Sequence, residues 1–326
     1  MVVSVLTGIA TAALVVLLPR AVGTSWAPVA AVLGRVSVPG LVALAVVWIA
    51  GLWAHSFVLA ASLPGLTKRR GLTLNLTGSA VANVLPLGGA AGTGLNFAMT
   101  RRWGFTSAAF GGFLAVTTLV DVMAKLGVVV VALALTPIAH SATALPIGRT
   151  GLLLIPVAAV VAVVVWFLSS SEAAAVTGGG LDQLIRGFGR RSALARSLPQ
   201  LRSSMLRVLR GGWRPLALGM FGYMLLQLAL LWLCFQLLGV SLGLPVVITG
   251  LAVERLLRLI PITPGGAGVV EVGTTAALVA LGGDPAAVAA GLLLFRGFTY
   301  LLEIPVGGVT LGIWLLRDRR RTAVTA

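Results

Sequence analysis

Leu85-Pro86-Leu87-Gly88-Gly89-Ala90-Ala91-Gly92 and Thr263-Pro264-Gly265-Gly266-Ala267-Gly268-Val269-Val270-Glu271 are two breaks of the same kind, each set inside strongly apolar sequence. Proline has no backbone N–H to give and glycine loosens a helix, so neither stretch continues a helix smoothly. At membrane depth, backbone that leaves the helical pattern must be buried in protein or line a wet cavity. One such break in each half points to a transporter-like core rather than a bundle of plain anchors.

Working outward, the whole chain supports a membrane setting. It is 326 residues long, 58% hydrophobic and 10% charged, with a mean hydropathy of +1.06, where a soluble domain carries about 25% charged residues. Apolar runs of roughly 20 residues, each long enough to cross a bilayer, recur throughout. No tract is polar enough for a separate soluble domain, so residues 1–326 read as a single transmembrane domain. The net charge of +16 sits at membrane-flanking positions without an aromatic-basic platform; it reads as topology, with anionic headgroups rather than nucleic acid as its partner. The single cysteine, Cys234, excludes an intrachain disulfide, and two widely separated histidines, His55 and His140, give little support to a metal site. Met1 to Leu18 reads as a retained first helix.

Apolar runs at about 1–18, 39–63, 71–85, 105–136, 148–170, 213–239, 245–262, 267–282 and 285–316 set the candidate helices. Four basic blocks constrain how they thread: Lys68-Arg69-Arg70, Arg101-Arg102, the segment from Arg186 to Arg214, and Arg317-Asp318-Arg319-Arg320-Arg321. The positive-inside rule wants all four on the cytoplasmic side. They reach it if 71–100 is a hairpin that enters from the cytoplasm, breaks near Pro86 and returns, and if 245–282 is a second hairpin entering from outside. The expected fold is therefore an all-α polytopic membrane protein with about six full crossings plus two oppositely oriented broken or re-entrant hairpins, inverted-repeat-like. A full crossing in either unit is the alternative. The first half is 1–170 and the second 213–316, with both termini cytoplasmic. Between them, 181–211 interleaves arginines with Leu184, Phe188, Leu194, Leu198 and Leu201, which predicts one or two interfacial amphipathic helices interrupted at Pro199. A plain connector is the other reading.

Polar groups inside apolar runs are costly and hence informative. Asp121 and Lys125 lie four apart and can pair, as a structural or coupling pair. Glu254 and Arg258 are i,i+4 partners, which leaves Arg255 with an unassigned charge. Glu271 follows the second break at the expected start of a helix, where a carboxylate is favoured. Arg296 and Glu303 lie two turns apart on the last helix, and Pro305 is expected to kink it just beyond. In the first hairpin, Asn75, Ser79 and Asn83 share one side of a limb; Asn96, Arg101 and Arg102 follow the break. Free N–H groups at Gly88-Gly89 and, beside Pro264, at Gly265-Gly266 could meet an anion, with an arginine adding planar recognition of phosphate. No nucleophile with a base, metal-ligand cluster or cofactor motif accompanies these groups, so the chemistry expected is binding without catalysis.

The two break motifs, in order and with this spacing, resemble the lysylphosphatidylglycerol synthase transmembrane-region family, or flippase-like domain. Arg101-Arg102-Trp103-Gly104, Arg296-Gly297-Phe298-Thr299-Tyr300 and Pro305 extend the resemblance, which covers about 30–316. The family includes the membrane half of bacterial enzymes that attach amino acids to phosphatidylglycerol, a half thought to move the product to the outer leaflet. The resemblance implies a bacterial cytoplasmic-membrane protein and, without the soluble transferase part, no synthesis of the lipid. Some relatives carry a Gly-Glu pair after the first proline; here Gly88-Gly89 is followed by Ala90, which weakens an assignment to a cationic lysyl headgroup.

The leading functional reading is a lipid translocase acting on an anionic or phosphate-containing lipid, either an aminoacyl-phospholipid or a polyprenyl-phosphate-linked glycolipid. Arg255, Arg258 and Arg296 would contact phosphate, Glu254, Glu271 and Glu303 would either balance them or read a positive or hydroxylated headgroup, and Asn75, Asn83 and Asn96 would add neutral hydrogen bonds. A membrane-embedded glycosyltransferase or lipid-modifying enzyme, an accessory scaffold that recruits a partner through the basic 181–214 segment, and a small-solute carrier are the alternatives. Membrane lipids, a lipid-synthesising enzyme and a second copy of the chain are the partner classes left open.

Overall fold

The computed structural model describes residues 16–85, 88–139, 147–172, 175–176, 194–259 and 263–325. The expected helix at 1–18, Pro86 and Leu87 at the first break, and 181–193 of the basic connector lie outside or mostly outside them. Among the described residues the regular structure is helical: α1 (Trp26–Leu33), α2 (Val38–Ser62), α3 (Lys68–Val84), α4 (Gly88–Arg102), α5 (Ser107–Ala139), α6 (Ile147–Ser169), α7 (Leu194–Leu237), α8 (Leu244–Leu257), α9 (Val269–Ala280), α10 (Pro285–Arg296) and α11 (Glu303–Thr325). A 3₁₀ turn at Pro264–Gly266 precedes α9, and a π turn at Gly297–Leu301 joins α10 to α11. Among the described residues, four helices are long and apolar enough to cross a membrane: Val38–Ser62, Ser107–Leu135, Leu198–Leu237 and the joined Pro285–Asp318. Ala158–Ser169 and Val269–Ala280 are shorter apolar helices. The chain is an all-α, multi-pass membrane protein.

Helix starts follow from local chemistry. Ser37 and Thr67 accept hydrogen bonds from Gly40 N and Arg70 N, both at 3.3 Å, to cap α2 and α3. Asp284 accepts one from Ala287 N at 2.9 Å, with Pro285 at the first helical position of α10, where its missing N–H costs nothing.

Two pairs of consecutive helices fold back on themselves. In α3 and α4, Gly92 packs on the Gly78 carbonyl, Gly78 on Asn96, and Thr77 Oγ1 lies 3.5 Å from Met99 Sδ. These contacts run antiparallel and bring Lys68-Arg69-Arg70 and Arg101-Arg102 to one end. In α8 and α9, Gly250 meets Leu278 and Gly273 meets Leu257, again antiparallel. At 17 and 15 residues, α3 and α4 reach about 25 and 22 Å, and α8 and α9, at 14 and 12 residues, about 21 and 18 Å, all short of a bilayer core of about 30 Å.

The rest of the chain braces these pairs. α2 and α7 run antiparallel, with Gly40 against Leu237 at one end and Gly212 against Ala61 at the other. Phe235 of α7, Phe295 of α10, Leu251 of α8 and Leu278 of α9 lie at the centre of the largest core cluster. On α11, Gly307 packs on the Leu76 carbonyl and Ala80 of α3, a place where any Cβ would overlap backbone. Such close approach by small residues is how helices associate in lipid.

Two expected interruptions move. The helix α7 continues through Pro199, near its start, and its non-helical residue is Gly212 (φ −130°, ψ 18°). Pro215 then falls in the first turn after the kink, where the helix needs no N–H from it. On the last helix the irregularity comes before Pro305: Leu302 N bonds to Gly297 O at 2.8 Å, widening the turn. A π register here answers the donor that Pro305 lacks.

Candidate functional site

The two breaks meet. Asn83, in the last turn of α3, and Tyr300, in the π turn, exchange hydrogen bonds: Asn83 Nδ2 donates to Tyr300 O at 3.3 Å, and Tyr300 OH donates to Asn83 O at 2.9 Å. Both acceptors are carbonyls that their own helices leave short of partners. Asn83 lies among the last four C=O groups of α3, and the residue that would answer Tyr300 in a π register is Pro305. Gly265 sits beside them with φ +56°, and a Cβ there would lie 2.7 Å from Asn83 Oδ1 and overlap the Tyr300 ring. Only glycine satisfies both the backbone and the space.

Beneath this junction Arg296 forms a clasp. Its Nε donates to Glu271 Oε1 at 2.5 Å and its Nη2 to Gly265 O at 3.0 Å, while the guanidinium lies 4.8 Å from the Tyr300 ring centroid. Glu271 Oε2 accepts from Gly268 N at 2.6 Å, closing the start of α9. At this break Gly266 N donates to Thr263 O, and the start of α9 holds the chain's own carboxylate on Gly268 N. The partner of Arg296 is Glu271 across the hairpin. Glu303, displaced by the π turn, lies beside Ser79 and Asn83 instead.

Glu254 is fully buried at the end of α8 and serves two arginines. It pairs with Arg258, as the spacing predicts, and with Arg255 Nε at 3.2 Å. The charge of Arg255 is thus not unassigned, because α8 turns both side chains toward the same carboxylate. The three arginines differ in reach. Arg255 and Arg296 side chains are 3% and 4% exposed, whereas Arg258 is 23% exposed and extends Nη2 to Thr299 Oγ1 at 3.4 Å. Arg255 Nη2 and Arg296 Nη1 have no hydrogen-bond partner among the described residues. Three glutamates, Glu254, Glu271 and Glu303, match three arginines in formal charge.

Asn75 and Asn96 lie apart from this cluster, in a cavity of about 320 Å³ between α2, the α3–α4 pair and α5, where His55, Ser79, Gly89, Thr117 and Asp121 also line the wall. Asp121 pairs with Lys125 at 2.6 Å. His55 stacks on Tyr223 with centroids 4.7 Å apart. Gly88 packs against Ala82, closing the turn between α3 and α4. Arg101 is exposed at the far end, donating to Phe105 O at 2.7 Å, so it is not brought to the junction. Pro264 opens the 3₁₀ turn next to Gly265. A larger apolar groove, about 670 Å³, runs between α5, α7 and α8 and is lined by Met123, Trp213, Met220, Phe221, Met224 and Leu251.

Sequence reasoning assigned no role to the tyrosines, yet both of the chain's two tyrosines lie here. Their rarity in so apolar a chain was the available signal, since a phenolic hydroxyl buried in lipid needs an acceptor.

Two broken helix pairs that complete each other at a charged junction are the geometry on which the comparison with known families bears. The family described as the lysylphosphatidylglycerol synthase TM region matches residues 2–307. The chain belongs to the lysylphosphatidylglycerol synthase transmembrane-region family. The match is to the membrane region of that family, and family and fold are together consistent with a flippase-like, lipid-handling membrane protein. No curated protein in the comparison matches the chain.

Proposed function

We propose that this chain moves a lipid with an anionic or phosphate-containing headgroup between the leaflets of a bacterial cytoplasmic membrane. The observation that carries the reading is the junction where the two breaks meet above a charge-balanced cluster. All three arginines there pair with carboxylates, but Arg258 is 23% exposed where Arg255 and Arg296 are 3% and 4% exposed, so it is the one with accessible donors. A guanidinium with spare donors suits phosphate oxygens. Asn75 and Asn96 in the neighbouring polar cavity offer neutral hydrogen bonds to the rest of a headgroup. The apolar groove beside α8 favours a lipid over a small solute, because its lining suits hydrocarbon chains.

The topology that fits has six full crossings and two re-entrant hairpins opening to opposite sides, with both termini cytoplasmic. Several contacts support it. The four helices of the two pairs are too short to span, and Arg102 pairs with Asp318, which draws the tail to the basic end of the first hairpin. Gly212, beside Arg210 and Arg214, abuts Ala61 near that end. An inverted pair of broken helices is the architecture in which a site near the midplane is exposed alternately.

The test is reconstitution into liposomes holding a fluorescent, phosphate-headgroup lipid, with outer-leaflet dye quenched chemically. Wild-type protein should expose inner-leaflet dye, and Arg258→Gln, folded by gel filtration, should lose most of that rate. Equal rates for the two proteins would remove Arg258 from the site, and no rate above empty liposomes for either would refute translocation.

A further inference from the structure

A second basic site lies at the opposite end of the helix pair α3–α11 from the junction, roughly 20 Å away by helical rise. There a concavity of about 710 Å³ opens between the paired ends of α3 and α4 and the end of α11. Among the described residues, Arg69, Arg70, Arg102 and Arg317 line it, with Trp103, Trp314 and one carboxylate, Asp318. Four guanidiniums against one carboxylate leave three positive charges in excess, unlike the balanced cluster at the junction.

Positive-inside sorting alone explains arginines at a membrane face; it does not explain their being aimed into one hollow. Arg70 lies over the Trp103 ring at 5.1 Å from its centroid, and Arg102 over Trp314 at 5.8 Å. Arg102 is further oriented by Asp318. Stacking on indole fixes a guanidinium plane while leaving its N–H edge free to donate. Like charges around one hollow repel, and an anion whose phosphate oxygens are bound through arginine forks would offset that repulsion. Tryptophans at the rim match the headgroup level of a bilayer. The volume falls in the range of small-ligand pockets, about 300–1,000 Å³, and exceeds what one phosphate needs.

We infer that this pocket binds a polyanionic phosphate group, a phosphomonoester or a pair of phosphates, at the basic face of the membrane. The inference stands whether or not the chain moves lipid, because it concerns a separate site with its own charge balance.

The experiment measures binding rather than transport. The purified protein, in nanodiscs of phosphatidylcholine, is titrated with inorganic pyrophosphate by calorimetry. In parallel it is placed in nanodiscs containing phosphatidic acid or cardiolipin, and retained lipid is read by native mass spectrometry. Binding is expected in at least one arm. Arg70→Gln/Arg317→Gln should weaken it about tenfold or more, as expected from losing two charge-assisted contacts, and Asp318→Asn should strengthen it. Arg207→Gln/Arg210→Gln, which removes the same charge from exposed positions elsewhere, should leave it unchanged. Binding of the lipids alone assigns a headgroup as the source; pyrophosphate binding lost in the pocket variant assigns a soluble phosphate compound as well. No binding in either arm, or equal weakening by the Arg207/Arg210 variant, overturns the inference.

Discussion

Replacing Arg296 by methionine tests the central clasp most directly. The side chain is 4% exposed and its partner Glu271 5% exposed, so neither charge can turn to water. Methionine would remove the bond to Glu271 and that to Gly265 O, leaving the carboxylate only the Gly268 N–H. Breaking a buried pair from one side costs about 3–5 kcal/mol, mostly from the charge left behind. Glu271→Gln keeps an acceptor and should cost less, about 1–3 kcal/mol. In the double variant neither charge remains, so its cost should fall about 2 kcal/mol or more below the sum of the singles. Equilibrium unfolding in mixed micelles of mild detergent and dodecyl sulfate, followed by tryptophan fluorescence, reads all three. A cost under about 1 kcal/mol for Arg296→Met, or strict additivity in the cycle, would show that the pair is not the buried clasp described.

Four further variants have expected outcomes. Tyr300→Phe removes one donor from the exchange with Asn83 and should cost about 0.5–1.5 kcal/mol in the same unfolding assay, with a larger loss for Gly265→Ala, whose Cβ enters the Tyr300 ring. Gly307→Val should sharply lower thermal stability measured by size-exclusion after heating, because the new side chain overlaps the Leu76 carbonyl on α3. By contrast Arg102→Ala, whose side chain is 56% exposed, should change stability by less than about 1 kcal/mol despite its pairing with Asp318.

What could be read in the sequence was mostly what lies within one helix. Glu254 with Arg258 and Asp121 with Lys125 follow from i,i+4 spacing, and the helix limits follow from apolar runs and from caps such as Thr67 and Asp284. The break motifs themselves marked where the chain reverses. Contacts across the fold were not legible. Glu271 and Arg296 are separated by 25 residues and a hairpin, and nothing in their local spacing distinguishes that pairing from Arg296 with Glu303. The shift at 297–301 was hidden because Pro305 announces a missing donor but not which register absorbs it. In the same way Pro199 looked like the interruption of α7, whereas a proline near a helix start is tolerated and the glycine at 212 bends. The separation of Arg101 and Asn75 from the junction depends on how far each limb runs past the break, which only packing determines.

The exchange between Asn83 and Tyr300 also bears on how the chain is made. The two residues are 217 positions apart, and each supplies the donor that the other's carbonyl lacks. During synthesis α3 is made long before Tyr300 emerges, so the Asn83 carbonyl waits unanswered in a setting where such groups are expensive. The first half is therefore an unfinished part, completed only when the last helix arrives. Two separately expressed halves should find each other where Asn83 meets Tyr300, with the reciprocal bonds serving as the seam of assembly.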